Sequence, residues 1–144
     1  MKKVSQLILQ KGNTVTTIQA NKTVYDAIEI MAAKNIGALM VYLDDRFVGV
    51  LTERDYTHKV ILKGRHSHDT LVSEIMQSEP TTVAFQDSIE KCMEVMAAER
   101  IRYLPVVADQ HVVALVSMGD LVRFTIEDQK HTIQNLQNYI SGSI

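Results

Sequence analysis

Apolar positions along the chain follow two alternating rhythms. Val24, Ala27, Ile28 and Met31 fall at i, i+3, i+4 and i+7, and so do Ile89, Cys92, Met93 and Met96. That spacing is the stripe of a helix buried on one face. Thr23 and Ser88 stand just before the stripes, where a hydroxyl caps a helix start. Each stripe is followed by two short, β-rich apolar runs, 38–43 with 47–51 and 103–108 with 111–116. Asp44-Asp45-Arg46 and Asp109-Gln110 join the runs, so each pair predicts a hairpin. A second helix is predicted from about Glu53 and again from about Met118. With a short strand at Thr16-Thr17 and at Thr81-Thr82, the unit is strand, helix, strand, strand, helix.

The unit occurs twice. A shift of 65 lays residues 16–56 on residues 81–121 without a gap, with twelve identities that include Glu29/Glu94, Met31/Met96, Leu39/Leu104 and Asp55/Asp120. A lead-in segment repeats as well, Val4-Ser5-Gln6-Leu7-Ile8 against Val72-Ser73-Glu74-Ile75-Met76. The division read from the chain is an N-terminal segment with repeat 1 over 1–65 and a linker with lead-in over 66–80. Repeat 2 follows over 81–125, and a C-terminal amphipathic helix over 126–144. A unit of about 40 residues is near the lower limit for a stable core, so the copies are expected to pack together about a pseudo-twofold axis. The fold class is α/β (α+β), and the clefts of interest lie where the copies meet.

Composition narrows the function. At 144 residues, 46% hydrophobic and 22% charged, the chain has the balance of one folded domain. Its net charge of −2 supplies no positive field for nucleic acid or an anionic membrane, so nucleic acid is an unexpected partner and any anion must be held locally. No apolar stretch approaches the length of a membrane span, and polar Gln6, Gln10 and Lys11 interrupt any signal-like start. A single cysteine, Cys92, cannot form an internal disulfide, which makes the cytoplasm the expected location.

Candidate chemistry sits in two matching segments, Val48-Gly49-Val50-Leu51-Thr52-Glu53-Arg54-Asp55 and Val113-Ala114-Leu115-Val116-Ser117-Met118-Gly119-Asp120. Each runs an apolar strand into a hydroxyl residue with an aspartate three places on. A capping box explains that spacing by itself, and Ser/Thr-x-x-Asp also occurs at Thr23 and Thr125. Two features set the pair apart: the same strand-to-helix context and the same register in both copies.

Ile-Gly-Ala-Leu-Met-Val (36–41), Gly-Val-Leu-Thr-Glu-Arg-Asp-Tyr (49–56), Ile-Arg-Tyr-Leu-Pro-Val-Val (101–107) and Ala-Leu-Val-Ser-Met-Gly-Asp-Leu (114–121) strongly resemble the tandem cystathionine-β-synthase (CBS) domain family. The segments 54–65 and 72–76 look like the small bacterial stand-alone members. The resemblance implies two β-α-β-β-α CBS repeats forming one CBS pair, or Bateman module. Such a pair is a regulatory, non-enzymatic sensor that takes AMP, ADP, ATP or NAD(H) in clefts between its repeats and requires no cofactor. Asp55 and Asp120 match the family's ribose-binding aspartates, and a carboxylate can accept from both ribose hydroxyls at once. Thr52 and Ser117 would face ribose or phosphate from a helix start. Ile36, Gly37 and Ala38, or Tyr103, Leu104 and Pro105, would wall the adenine, and Thr17, Ile18, Thr82 and Val83 would complete the clefts. Arg54, Lys59, Arg100, Arg102 and Arg123 are the phosphate candidates, each equally readable as a solvated surface charge.

Met40 stands opposite Pro105, and Ala114 opposite Gly49, so the two sites are not copies of each other. His58, His66 and His68 match no closed zinc spacing and read as linker histidines, and Cys92 aligns with Ala27 as a small core residue. No nucleophile and base pair, metal set or P-loop marks an enzyme. The alternative to a sensor is an interaction or scaffold protein with degenerate sites. Ile126, Ile133, Leu136 and Ile140 stripe the tail at i, i+7, i+10 and i+14, a face that must be buried either by folding back on its own domain or against a partner; the CBS resemblance implies a homodimer, with an unidentified regulated protein as a further partner.

Overall fold

Two three-stranded sheets, each backed by helices, form the computed structural model, which describes residues 2–12 and 15–142. The first half contains β1 (Thr17–Gln19), α2 (Val24–Lys34), β2 (Ala38–Leu43) and β3 (Arg46–Thr52), preceded by α1 (Val4–Lys11). A short α3 (Glu53–Tyr56) follows and widens into a π-helical turn, Thr57–Ile61. After a single 3-10 turn, Ser67–Asp69, the second half repeats the plan as α4 (Val72–Ile75), β4 (Val83–Ala84), α5 (Ile89–Glu99), β5 (Tyr103–Ala108), β6 (His111–Ser117) and α6 (Met118–Ser141). In each sheet the first strand is parallel to the second, and the second and third form an antiparallel hairpin with a bulge at the same place, Val41/Tyr42 and Val106/Val107. The Thr-Thr strands begin later than the sequence suggests, by one residue in the first half, where Thr16 precedes β1, and by two in the second, where Thr81 and Thr82 precede β4.

Local chemistry accounts for the element ends. Thr23 and Ser88 accept from the backbone N–H groups of Asp26 and Lys91 at 3.2 and 3.1 Å, as their positions before the stripes require. Both helices end on a left-handed residue, Asn35 at φ 54° and Arg100 at φ 57°. The hairpins turn through left-handed Asp44, and through Asp109 and Gln110.

The lead-in segments cross over. Val4, Leu7 and Ile8 of α1 are buried in the core of the second half, with Val83, Ile89, Cys92, Met96, Leu104 and Leu121. Val72 and Ile75 of α4 are buried in the core of the first half, with Val24, Met31, Leu39, Leu51 and Val60. Backbone hydrogen bonds fix both crossings: Val4 N–H donates to Asp87 O and Ile89 N–H to Lys2 O, while Val24 N–H donates to Thr70 O and Val72 N–H to Lys22 O, all at 2.8–3.0 Å. The N-terminal segment, first in sequence order, thus belongs by packing to the second half. Past α4, Gln77 exchanges two backbone hydrogen bonds with Val50 and adds an edge to β3. A Cβ on Gly49 would collide with the Gln77 carbonyl oxygen, which is why this position takes glycine. The second half carries Ala114 there: its lead-in stays helical to Lys11, and among the described residues no strand of it lies against β6.

The C-terminal stripe does not begin a separate element. α6 runs unbroken for 24 residues from its Ser117 cap. Leu121 is buried and Phe124 packs on the second core, and Lys2 meets Asp128 at 3.4 Å. Beyond that ion pair Ile133, Leu136, Tyr139 and Ile140 are exposed, and residues 143–144 of the predicted tail lie outside the described residues. Among the described residues no helix is long and apolar enough to cross a membrane.

The crossing predicts a long-range mutational effect. Leu7→Ala is expected to cost about 2–4 kcal/mol in urea unfolding, because Leu7 is fully packed. Hydrogen exchange should show protection lost first in α5 and β5, not in α2 and β2 beside which α1 stands in sequence; equal loss in both halves would contradict the exchanged packing.

Candidate functional site

Hairpin register gathers the candidate residues at one end of each sheet. Thr17 pairs with Met40 and Ala38 with Thr52, so the start of β1, the start of β2 and the β3–α3 turn share an edge. Val83 pairs with Val106 and Tyr103 with Ser117, which builds the same edge in the second half. The two edges meet. A Cβ on Gly37 would collide with the Tyr103 hydroxyl and with a Glu53 carboxylate oxygen, so the Tyr103 ring reaches from the second sheet to the rim of the first. Burial pushes the Tyr103 hydroxyl above its ordinary pKa of 10.0, and the charges of Glu53 and Asp120 add to the rise while Arg102 opposes it. Tyr103 therefore senses carboxylates of both halves.

Both strand-to-helix turns close as capping boxes. Thr52 N–H and its hydroxyl donate to Asp55 Oδ2 at 2.9 and 3.0 Å, and Asp55 N–H donates back to Thr52 Oγ1 at 3.1 Å. Ser117 N–H donates to Asp120 Oδ2 at 2.9 Å, and Asp120 N–H to Ser117 Oγ at 3.0 Å. Each carboxylate keeps further acceptor capacity. At Asp55, Gln77 Nε2 donates to both oxygens at 3.2 and 3.3 Å, and the Lys59 ammonium lies 3.1 Å from Oδ1. At Asp120 the partners are Lys11, 2.6 Å from Oδ2, and Arg123, 2.9 Å from Oδ1. Burial raises the Asp120 pKa, but hydrogen bonds from Lys11, Ser117 and Arg123 together with the charge of Lys11 outweigh it and hold the carboxyl below its ordinary value of 3.8.

The lead-in exchange supplies these partners. Gln77 follows α4, which packs on the first half, and serves the first aspartate; Lys11 ends α1, which packs on the second half, and serves the second. The π-helical turn after α3 carries Lys59, whose ammonium also donates to Ile75 O at 2.9 Å. The equivalent position in α6 is Phe124, packed on the second core; the cations at Asp120 are Arg123 of α6 and Lys11 from α1.

Of the other candidates, Ala38 and Pro105 are buried at the edge itself, Ile36 and Tyr103 are half-buried, and Arg54, Thr82 and Arg102 are exposed around it. Ile18, Val83 and Leu104 point into the two cores and support the edges from behind. Arg100 is the left-handed cap of α5, on the loop leading to Arg102. His68 stacks on Tyr25 with ring centroids 4.0 Å apart, and among the described residues no cluster of three or more potential metal ligands occurs. Burial pushes the Cys92 thiol up to about 11, as suits a core residue. Lys11, Gln77 and Glu53 were not among the sequence candidates. Lys11 lies 109 residues from Asp120, and the matching lead-in positions carry different residue types.

Two interlocked sheet-and-helix halves with a capped carboxylate at equivalent turns define a paired, pseudo-twofold module. The chain matches the CBS domain family over residues 8–61 and 72–127, and it belongs to that family as a tandem pair. It is 38% identical over 125 residues to the mitochondrial CBS domain-containing protein CBSX3 of Arabidopsis thaliana, covering 83% of this chain and 61% of that protein's length. A CBS-domain structure from Burkholderia ambifaria, assigned to signal transduction, matches with TM-score 0.85 and 42% identity over 89% of this chain and 96% of that one. A hexameric CBS-CP12 protein from bloom-forming cyanobacteria matches with TM-score 0.72 and 25% identity over 98% of this chain and 83% of that one. CBS pairs are in general regulatory and signal-transduction modules, and stand-alone CBS proteins are typically regulatory rather than catalytic.

Two measurements check this geometry. The Asp120 carboxyl should titrate below 3.8 by carbon-detected NMR, and its midpoint should rise in Lys11→Met. Since its folded value is depressed, the stability it contributes is complete above the unfolded pKa and is lost as pH falls through the folded one. Gly37→Ala should cost about 1 kcal/mol or more by crowding Tyr103, and less in a Tyr103→Phe background; additive costs would remove Tyr103 from the Gly37 rim.

Proposed function

We propose that the protein is a regulatory sensor that binds an adenine nucleotide, of the AMP, ADP, ATP or NAD(H) class, in the two clefts where its sheet edges meet. The observation that carries this reading is the equivalence of Asp55 and Asp120. Both are carboxylates with acceptor capacity beyond their capping bonds, at matching turns, each with cations in reach of an attached phosphate. Capping and binding coexist, because the backbone cap occupies one acceptor position on Oδ2 of each carboxylate and the remaining positions are held by side-chain donors that a ligand can displace.

The experiment is calorimetry with AMP, ATP, NAD⁺ and UMP. Asp55→Ala and Asp120→Ala should each weaken adenine-nucleotide binding at their own cleft by roughly 30- to 1000-fold, the loss of two charge-assisted hydrogen bonds, and UMP should bind far more weakly. A double variant that binds AMP as the parent does would overturn the reading.

Self-association is the second part of the proposal. Val122, Ile126, Ile133, Leu136 and Ile140 leave α6 with an exposed apolar face, and a helix end of this kind is marginal without a partner. A homodimer with α6 in an isologous contact would cover it, and a ligand at the clefts would then act on the dimer surface for a regulated protein to read. In sedimentation, truncation after Asp128 should weaken self-association at least tenfold; equal behaviour of both chains would remove α6 from the interface.

A further inference from the structure

The partners of Asp120 impose a condition on anything that binds there. Its side chain is only 12% exposed, and its oxygens already accept from Ser117 N–H, the Lys11 ammonium and the Arg123 guanidinium. The Ser117 bond is part of the α6 cap and fixed by the backbone. A ribose diol needs two acceptor positions, so the bonds that yield are those from Lys11 and Arg123. A released ammonium would remain in place, because Lys11 Nζ also donates to Leu115 O at 3.0 Å, with the apolar side chains of Leu7 and Phe124 close by. The Lys11 side chain is 33% exposed, so losing its carboxylate without replacement costs it an ion-pair partner that water makes good only in part. Beside it lies a surface cavity of about 320 Å³ lined by Leu7, Lys11, Asp120, Arg123, Phe124 and Glu127, with two cations facing the one additional carboxylate of Glu127.

Resting on the adenine-nucleotide reading, we infer that Lys11, assisted by Arg123, makes the second cleft selective for phosphorylated ligands over uncharged nucleosides. As the diol takes the carboxylate, the Lys11 ammonium exchanges Asp120 for the ligand's phosphate in the α1–α6 cavity. A nucleoside displaces the cation and offers it nothing in return. At the first cleft the condition is weaker: Asp55 has one cation, Lys59, whose side chain is 44% exposed, and a neutral donor, Gln77, whose displacement strands no charge. Lys11 is a specificity residue of this particular chain, delivered by the exchanged lead-in helix and not by either repeat.

The test is a ¹⁵N-resolved titration of the full chain with AMP and with adenosine, reading the Gly119 amide for the second cleft and Gly37 for the first. In the parent, Gly119 should report AMP binding at least about tenfold tighter than adenosine. In Lys11→Met that ratio should fall at least about tenfold, through weaker AMP and stronger adenosine binding, with the ratio at Gly37 unchanged. Arg123→Met should shift it in the same direction by less. Lys11→Gln, which keeps a polar end on α1, serves as the second variant and should behave like Lys11→Met. An unchanged ratio at Gly119 in both Lys11 variants, or a parent that binds both ligands equally there, overturns the exchange and leaves the nucleotide reading standing. A parent that binds neither ligand at either glycine overturns both.

Discussion

The exchange of lead-in segments is the constraint from which the rest of the molecule follows. Neither repeat encloses its own core: the second is closed by Val4, Leu7 and Ile8 from the start of the chain, and the first by Val72 and Ile75 from its middle. Each half of some 40 to 50 residues would otherwise leave an apolar face in water, and a domain of that size has little stability in reserve. Interlocking makes the halves depend on each other and fixes their sheet edges face to face, with Tyr103 reaching the rim at Gly37. It also carries polar groups across the molecule. Lys11, at the end of one crossing segment, and Gln77, just past the other, become the partners of Asp120 and Asp55.

The carboxylates cap their turns and also accept from side chains that reach them from elsewhere in the fold. As members of capping boxes, Asp55 and Asp120 satisfy helix N–H groups and anchor the strand-to-helix turns. Those turns hold them where the sheet edges meet, with neighbouring cations neutralising them. Neutralisation makes burial tolerable, since an unpaired carboxylate in a half-buried position would be strongly disfavoured. It also occupies acceptor positions on both carboxylates with side-chain donors. The repeats diverge in how they meet this need. The first uses Lys59 on a π-helical turn, whereas the second puts Phe124 at the matching place and pairs its aspartate with Arg123 of α6 and with Lys11 from α1. The pair Gly49 and Ala114 follows the same logic, glycine being required only where Gln77 runs against β3.

The two ends of the chain converge on the same face of the second half. Lys2 reaches Asp128, Lys11 reaches Asp120, and Leu7 and Phe124 line one cavity. From that junction α6 continues outward with its apolar stripe uncovered. Lys11 and Arg123 thus pair with Asp120 in the first turns of the one long helix of the described structure.

Periodicity and self-similarity determined a great deal on their own: the helical stripes, the caps at Thr23 and Ser88, both hairpins, the duplication and the equivalence of Asp55 with Asp120. Each is legible because it depends on residues within a few positions of one another, or on the same residues appearing twice. What the tertiary structure decided is of another kind. That α1 serves the second core, that Tyr103 meets Gly37 and Glu53, and that Lys11 holds Asp120 across 109 residues are pairings between unlike, distant positions. The π-helical widening at Thr57–Ile61 and the unbroken run of α6 past Asp128 likewise escape local pattern, since a stripe fixes which face is apolar but not whether a neighbour covers it. The physical reason is common to all of them: local sequence sets backbone preference and polarity, whereas the partner of an apolar stripe or a charged end is chosen by which surfaces the completed fold brings together.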